Sequence, residues 1–321
     1  MKQRKRILCL LLAAAIMALT AGCGDKSADL RFGTGGTGGT YYAYGTAVSE
    51  LLGNETTVFD VKATAGSMAN LRLLSEDYLQ LAIAQSDLTD NAWHGTGLFE
   101  GQARTGYSAV ASLYTEPCQI IASAASGIQS VADLQGKRVS VGEEESGVIQ
   151  NAEQILLAYG LSFDMLEVQH LSFADAAAAV ADGTLDAFFC TAGAPTTAVA
   201  NLARQADIVV VPQDADKLQR LTNTYESYTA CTIPAGTYAG QTEDVAAVGV
   251  RAVLLASDKL SSDQVYQITA GLFANADALQ LSTPADTPLT LDSALEGITI
   301  PYHAGAAQFY AENGVSVETE G

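Results

Sequence analysis

Residues 29–42 read DLRFGTGGTGGTYY: a short strand-like run, a turn built only of Gly and Thr, and the aromatic pair Tyr41 and Tyr42, which opens a helical stretch running to Leu52. Gly33, Gly35 and Gly38 formally satisfy the G-x-G-x-x-G pattern of a dinucleotide turn, and Asp60 lies about where a ribose-binding acid is wanted. Two features turn the reading elsewhere. The turn holds far more Gly and Thr than a dinucleotide loop needs, and a secretion signal precedes it, whereas nicotinamide cofactors are a cytoplasmic commodity. Glycines tolerate positive φ and let backbone approach a ligand closely, so successive N–H groups form an anion-binding nest. The helix behind adds the positive end of its dipole. The stretch therefore predicts an anion-binding strand–turn–helix unit.

The secretion signal lies at the extreme N-terminus. Lys2, Arg4, Lys5 and Arg6 precede an apolar run from Ile7 to Leu19. That run is shorter than the ~17–25 residues a membrane-spanning helix needs and suits a signal peptide. Thr20, Ala21 and Gly22 then lead into Cys23, which resembles a bacterial lipoprotein signal, although Thr20 stands where Leu is usual. The expectation is a signal peptide over 1–22, lipidation at Cys23 and a linker over 23–29, with an ordinary cleaved signal as the alternative.

Composition narrows the class. The 321 residues are 48% hydrophobic and 16% charged, which excludes a disordered chain and leaves enough chain for about two domains. Lys and Arg number 16 against 36 Asp and Glu, a net charge of −20 that makes nucleic acid and anionic lipid poor partners. Beyond the signal, Cys118, Cys190 and Cys231 are odd in number and irregularly spaced, which argues against a disulfide framework and a metal knuckle; one bridge among them stays open. His94, His170 and His303 are scattered, and neither H-E-x-x-H nor G-x-S-x-G occurs. No catalytic residue, metal or cofactor is expected.

Downstream, strand-like and helical segments alternate. Runs 79–84, 139–142, 185–191 and 252–256 have strand length and apolar character. Ser130 with Asp133 and Ser172 with Asp175 read as helix-starting capping boxes, stopped by Gly136 and Gly183. Val148, Ala152, Ile155, Leu156 and Tyr159 recur at helical spacing before Gly160. This alternation predicts a layered α/β fold with mainly parallel sheets. Runs 108–114 and 119–123, separated by a break over Thr115, Glu116 and Pro117, suit a chain passing between lobes, and 246–256 can carry it back. The prediction is a discontinuous first lobe (30–120 and 245–321), a second lobe (121–244) and a ligand cleft between them. The segment after Gly314 reads as a frayed tail.

With the glycine turn, further motifs fall in order: AGSMANLRLL (65–74), AQSD (84–87), ASLYTEP (111–117), SGIQSVADLQGKRV (126–139), DAFF (186–189) with AGAP (192–195), IPAGTY (233–238), and ALEGITIP (294–301) with HAGAA (303–307). The set resembles the TAXI family of solute receptors for tripartite ATP-independent periplasmic (TRAP) transporters, from about Arg31 to Gly314. The resemblance implies a two-lobed periplasmic-binding-protein fold of type II (a Venus flytrap) with a central sheet in each lobe. It further implies capture of a small organic acid or amino acid, glutamate-like by preference, and delivery to TRAP membrane permease subunits driven by ion gradients. Such a receptor would be a monomer, extracytoplasmic, and tied to the membrane only through its lipid anchor. A secreted enzyme or a sensory module using the same cleft is the alternative.

Five helix starts or strand ends are candidates to line that cleft: Thr37, Gly38, Gly39, Thr40, Tyr41 and Tyr42; Ser67 after Gly66; Gln85, Ser86 and Asp87; Ser146 and Gly147; and Ala192 and Gly193, with Pro195 suited to a first helical turn. One helix dipole contributes ~0.3–1 kcal/mol to holding a carboxylate, against the ~8 kcal/mol of micromolar binding. Hydrogen bonds from Thr40, Ser67, Gln85 and Ser146 and an aromatic wall from Tyr41 or Tyr42 must supply the rest. Ser67 and Asp87 have a plainer role available as helix caps, and Asp87 also suits a ligand ammonium. Glu143, Glu144 and Glu145 depart from the family pattern and disfavour a simple dicarboxylate unless they point to solvent.

Overall fold

A computed structural model describes residues 29–54, 57–283 and 288–320. The signal peptide, Cys23 and the linker up to Ala28 lie outside the described residues. The chain begins with β1 (Asp29–Gly33), α1 (Thr40–Leu52), β2 (Val58–Lys62), α2 (Ser67–Ser75), β3 (Leu81–Gln85) and α3 (Ser86–His94). β3, LAIAQ, is buried at every position, as a strand covered by helices on both faces must be. The long β4 (Tyr107–Ser123) leads into β5 (Arg138–Ser140), α4 (Val148–Ala158), β6 (Glu167–Gln169), α5 (Phe173–Ala181), β7 (Ala187–Thr191) and α6 (Thr197–Ala203). There follow β8 (Ile208–Val210), α7 (Ala215–Thr224), β9 (Thr229–Ile233), β10 (Val245–Ser257), α8 (Ser262–Ala274), α9 (Ala276–Ser282) and α10 (Ala304–Glu312).

The strands join in the order β2-β1-β3-β10-β4-β7-β5-β6, with β8 on β4 and β9 on β10. β4 and β10 are long enough to belong to both halves. Their first-lobe halves pair from Tyr107↔Ser257 to Pro117↔Gly249; beyond, β4 pairs with β7 and β8, and β10 with β9. Three cores result. One gathers Phe32, Tyr44, Leu71, Ile83, Leu254 and Tyr310 around the first-lobe sheet. The other two lie on opposite faces of the second-lobe sheet: Ile120 and Phe189 enter one with Val139 and Ile155, while Ile121 and Phe188 enter the other with Val199 and Ile233. Adjacent residues part company because successive strand side chains alternate faces. The fold is two-lobed α/β, as expected.

The local signals start and stop helices as read, although of the two expected capping boxes only that at Ser130 is reciprocal. Ser130 and Asp133 form a reciprocal capping box before a single 3-10 turn, Ser172 accepts from the Asp175 N–H, and Gly160 and Gly183 follow their helices in the left-handed region.

Three expectations are corrected. Thr115, Glu116 and Pro117 make no break; they lie inside the 17-residue β4, paired with Arg251, Val250 and Gly249. Their polarity is tolerated because partners reach them from elsewhere: Tyr41 donates to Glu116 and Arg251 to Thr115. The sheet is mixed rather than mainly parallel, since strands that cross out and back run antiparallel to each other; β1, β2 and β3 are parallel within one lobe and β5, β6 and β7 within the other. The tail after Gly314 returns to the body, where the Tyr302 N–H donates to the Glu318 carbonyl at 2.8 Å and Val315 and Val317 pack on the first core.

Candidate ligand-binding site

The carboxyl ends of the parallel strands in both halves face one another across a cavity of about 510 Å³. Gly35–Thr40 and Tyr41 reach it after β1, Ala63–Ser67 after β2, and Gln85 at the end of β3. From the other side come Glu143 and Ser146–Val148 after β5, Leu171–Asp175 after β6, and Thr191 and Ala192 at the end of β7. Glu116, midway along β4, completes the lining. Each parallel strand releases its chain at the same edge, so turns and helix starts converge there.

Of the residues expected at the site, Thr37, Gly38, Gly39, Thr40, Tyr41, Ser67, Gln85, Ser146, Gly147 and Ala192 line this cavity. Tyr42, Ser86, Asp87 and Gly193 do not. Tyr42, one position along α1 from the buried Tyr41, is half-buried and points away from the lining. The Ser86 hydroxyl accepts from the Arg251 N–H at 3.2 Å. The Gly193 carbonyl is taken by the hydroxyls of Thr40 and Thr196 at 3.0 and 2.8 Å. Pro195 stands before α6, outside the helix.

Asp87 is neither a helix cap nor a cavity group. α3 begins at Ser86 with Gln85 in the cap position. The Asp87 Oδ2 accepts from Gln150 Nε2 and Asn151 Nδ2 of α4, both at 3.0 Å, which makes it a buckle between lobes. Gln85 Nε2 donates to Asn151 Oδ1 at 2.6 Å, and Asn91 Nδ2 to Gln150 Oε1 at 3.0 Å, in the same buried seam. Ser67 does not cap α2 either; its Oγ accepts the Gln85 N–H at 3.1 Å.

The glycine turn works differently from the predicted nest. None of Gly33, Gly35, Gly36, Gly38 and Gly39 has positive φ. What the turn requires is closeness: a Cβ on Gly38 would lie 3.1 Å from Ala198 Cβ and 3.7 Å from Ala174 Cβ, and one on Gly39 3.5 Å from Phe173. The second lobe is packed against the turn, and the Ala198 N–H donates to the Gly38 carbonyl at 3.1 Å. On the other rim Arg72 grips both carboxylate oxygens of Glu145 at 2.9 Å.

Burial dominates the electrostatics. The Glu116 carboxyl is pushed up to about 8 by burial, with the Asp87 charge adding to the rise, while the Tyr41 hydroxyl and the Arg251 charge oppose it. Asp87 is pushed up to about 6 by burial, against its bonds to Gln150 and Asn151. Glu143 is raised by burial and by the charge of Asp175. Glu145 is lowered by Arg72, and Glu144 is exposed. Of the acidic triplet only Glu143 faces the cavity.

Sequence reading missed Glu116, taken for part of a break, and the start of α5, read only as a helix signal; Phe173 there adds an aromatic wall to that of Tyr41, the one of the two expected tyrosines that lines the cavity. Among the described residues no group of three or more His, Cys, Asp or Glu is arranged to hold a metal, and no helix is long and apolar enough to cross a membrane. Among the described residues Cys118, Cys190 and Cys231 form no disulfide. The His303 Nδ1 accepts the Gly305 N–H at 3.2 Å and caps α10.

Two α/β lobes joined by crossing strands, with a cavity at the facing strand ends, define a periplasmic-binding-protein fold of type II. Solved structures share it. A protein from Bordetella bronchiseptica RB50 aligns at a TM-score of 0.52 and 13% identity over 90% of this chain and 99% of its own. A putative L-cystine ABC transporter protein from Listeria monocytogenes aligns at 0.50 and 15%, over 81% and 98%. The ArgBP of T. maritima aligns at 0.50 and 12%, over 79% and 92%. The chain belongs to the NMT1-like family, which matches residues 32–314.

Proposed function

We propose that this protein is an extracytoplasmic solute-binding receptor that captures a small carboxylated solute, an amino acid by preference, when its lobes close over it. The observation that carries this reading is the cavity walled by turns and helix starts of both lobes and spanned by hydrogen bonds from one to the other. A hinge across β4 and β10 would open and close such a site without disturbing either core. The boundaries expected from sequence, 120/121 and 244/245, fall within β4 and at the start of β10. The resemblance to TAXI receptors supports delivery of the closed form to TRAP permease subunits, and the N-terminal signal supports a monomer anchored to the membrane through lipidated Cys23. The reading contains no catalytic step.

A thermal-shift screen of residues 24–321 against amino acids and organic acids tests it. A ligand that binds only the folded state raises the melting temperature by mass action, by an amount that grows with concentration. A flat response across both classes at millimolar concentration would overturn the reading.

A further inference from the structure

The cavity walls carry carboxyl groups and no base. Glu116, Glu143 and Asp175 enter it from the crossing strand, the β5–α4 turn and the start of α5, and no Lys, Arg or His is among the lining residues. Arg251 lies behind Glu116, where its guanidinium binds Ser112, Thr115 and the Ser293 carbonyl. Glu143 Oε2 stands at the face of the glycine turn, 3.9 Å from where a Cβ on Gly36 would lie.

A second observation marks the same walls as unfinished. Glu116 is 1% exposed and accepts from the Tyr41 hydroxyl through Oε2 at 2.7 Å. The Ser146 hydroxyl, in a residue 5% exposed, has no partner among the described residues. Buried polar groups without partners are rare unless a ligand or water completes them.

Resting on the receptor reading above, we infer that the solute carries an ammonium or guanidinium group seated between Glu143 and Asp175, and that its net charge is zero or positive. The charge of Asp175 is felt at Glu143, so a cation between the two relieves both. A carboxylate on the same solute is accommodated at the opposite wall, near the starts of α1 and α2, where the positive ends of the helix dipoles favour it. A second carboxylate finds no counter-charge. Near Glu143 it would be opposed by like charge. The glutamate-like side chain expected from sequence is therefore replaced by a neutral or basic one.

The test is isothermal titration calorimetry on the full chain with five compounds of similar length: L-norleucine, L-lysine, cadaverine, L-glutamate and glutarate. Norleucine, lysine or cadaverine should bind at least tenfold more tightly than glutamate and glutarate. Glu143→Gln and Asp175→Asn should each weaken the amine about tenfold or more, as loss of a charge-assisted hydrogen bond does, while Glu144→Gln should leave it unchanged. Glu143 is half-buried and Asp175 exposed, so neither substitution threatens folding, and the ranking on the unaltered protein stands without them. Tighter binding of glutamate or glutarate would overturn the inference and leave the receptor reading standing. Undiminished amine binding in the double variant would overturn the seat assigned here. Silence from all five compounds and from the wider screen would remove both readings.

Discussion

Gly147→Ala isolates the seam between the lobes. Gly147 has φ −75° and ψ −20°, so alanine fits its backbone without strain. Its Cβ, however, would lie 1.3 Å from Gln85 Oε1, 2.5 Å from Gln85 Cδ and 2.9 Å from Leu88 Cδ1, all on the opposite lobe. Gln85 must move, which breaks its buried bonds to Asn151 Oδ1 at 2.6 Å and to the Ser67 hydroxyl at 3.3 Å. A net hydrogen bond contributes about 0.5–1.5 kcal/mol, and a buried polar group left unpaired costs about 1–3 kcal/mol. The closed arrangement should thus lose about 2–4 kcal/mol, and affinity for the strongest ligand of the screen should fall about 30-fold to several hundred-fold. Calorimetry gives the affinity, and small-angle scattering shows whether the radius of gyration grows as the lobes part. Because each lobe keeps its own core, thermal unfolding of the unliganded protein should change little. Wild-type affinity together with an unchanged scattering curve would refute the assignment of Gln85 and Gly147 to the closing surface.

Gly38→Asp should abolish the ligand-induced thermal shift by wedging a side chain against Ala198 and Ala174, whereas Gly36→Ala, whose Cβ meets only Glu143 at 3.9 Å, should keep it; equal effects would show that close packing is not what the turn supplies. Breaking the Arg72–Glu145 pair with Arg72→Ala should weaken ligand binding less than about fivefold, since both side chains are substantially exposed and such pairs contribute at most about 1 kcal/mol; a much larger drop, unaffected by salt, would contradict this. Glu116 carries a pH dependence whose sign is set by its upward displacement. The folded state holds a proton that the unfolded state releases near 4.5, so the stability Glu116 contributes is complete below that pH and is lost as pH rises through about 8. Urea unfolding of Glu116→Gln against wild type should therefore favour the variant increasingly from pH 5 to about 8, by up to about 1.4 kcal/mol per pH unit within that window, and level off above it; a constant difference would place Glu116 in contact with water.

Much of this protein can be read from neighbours along the chain. The capping box at Ser130, the N-cap at Ser172, the stops at Gly160 and Gly183, the return strand near 246–256 and the glycine turn are legible because each depends on backbone geometry over a few residues. The approach of the starts of α1, α2 and α4 to one cleft was also legible, since parallel strands discharge at a common edge. What needed the folded chain is whatever depends on a partner distant in sequence. β4 runs unbroken through Thr115, Glu116 and Pro117 because β10, more than a hundred residues later, lies beside them. Asp87 fastens the lobes because Gln150 and Asn151 of α4 meet it there, 63 and 64 residues on. The glycines of the turn serve a close approach by Ala174 and Ala198 rather than an unusual φ, and no local pattern distinguishes these uses. Short-range signals choose elements; packing between elements chooses which of their side chains meet a solute and which hold the two lobes together.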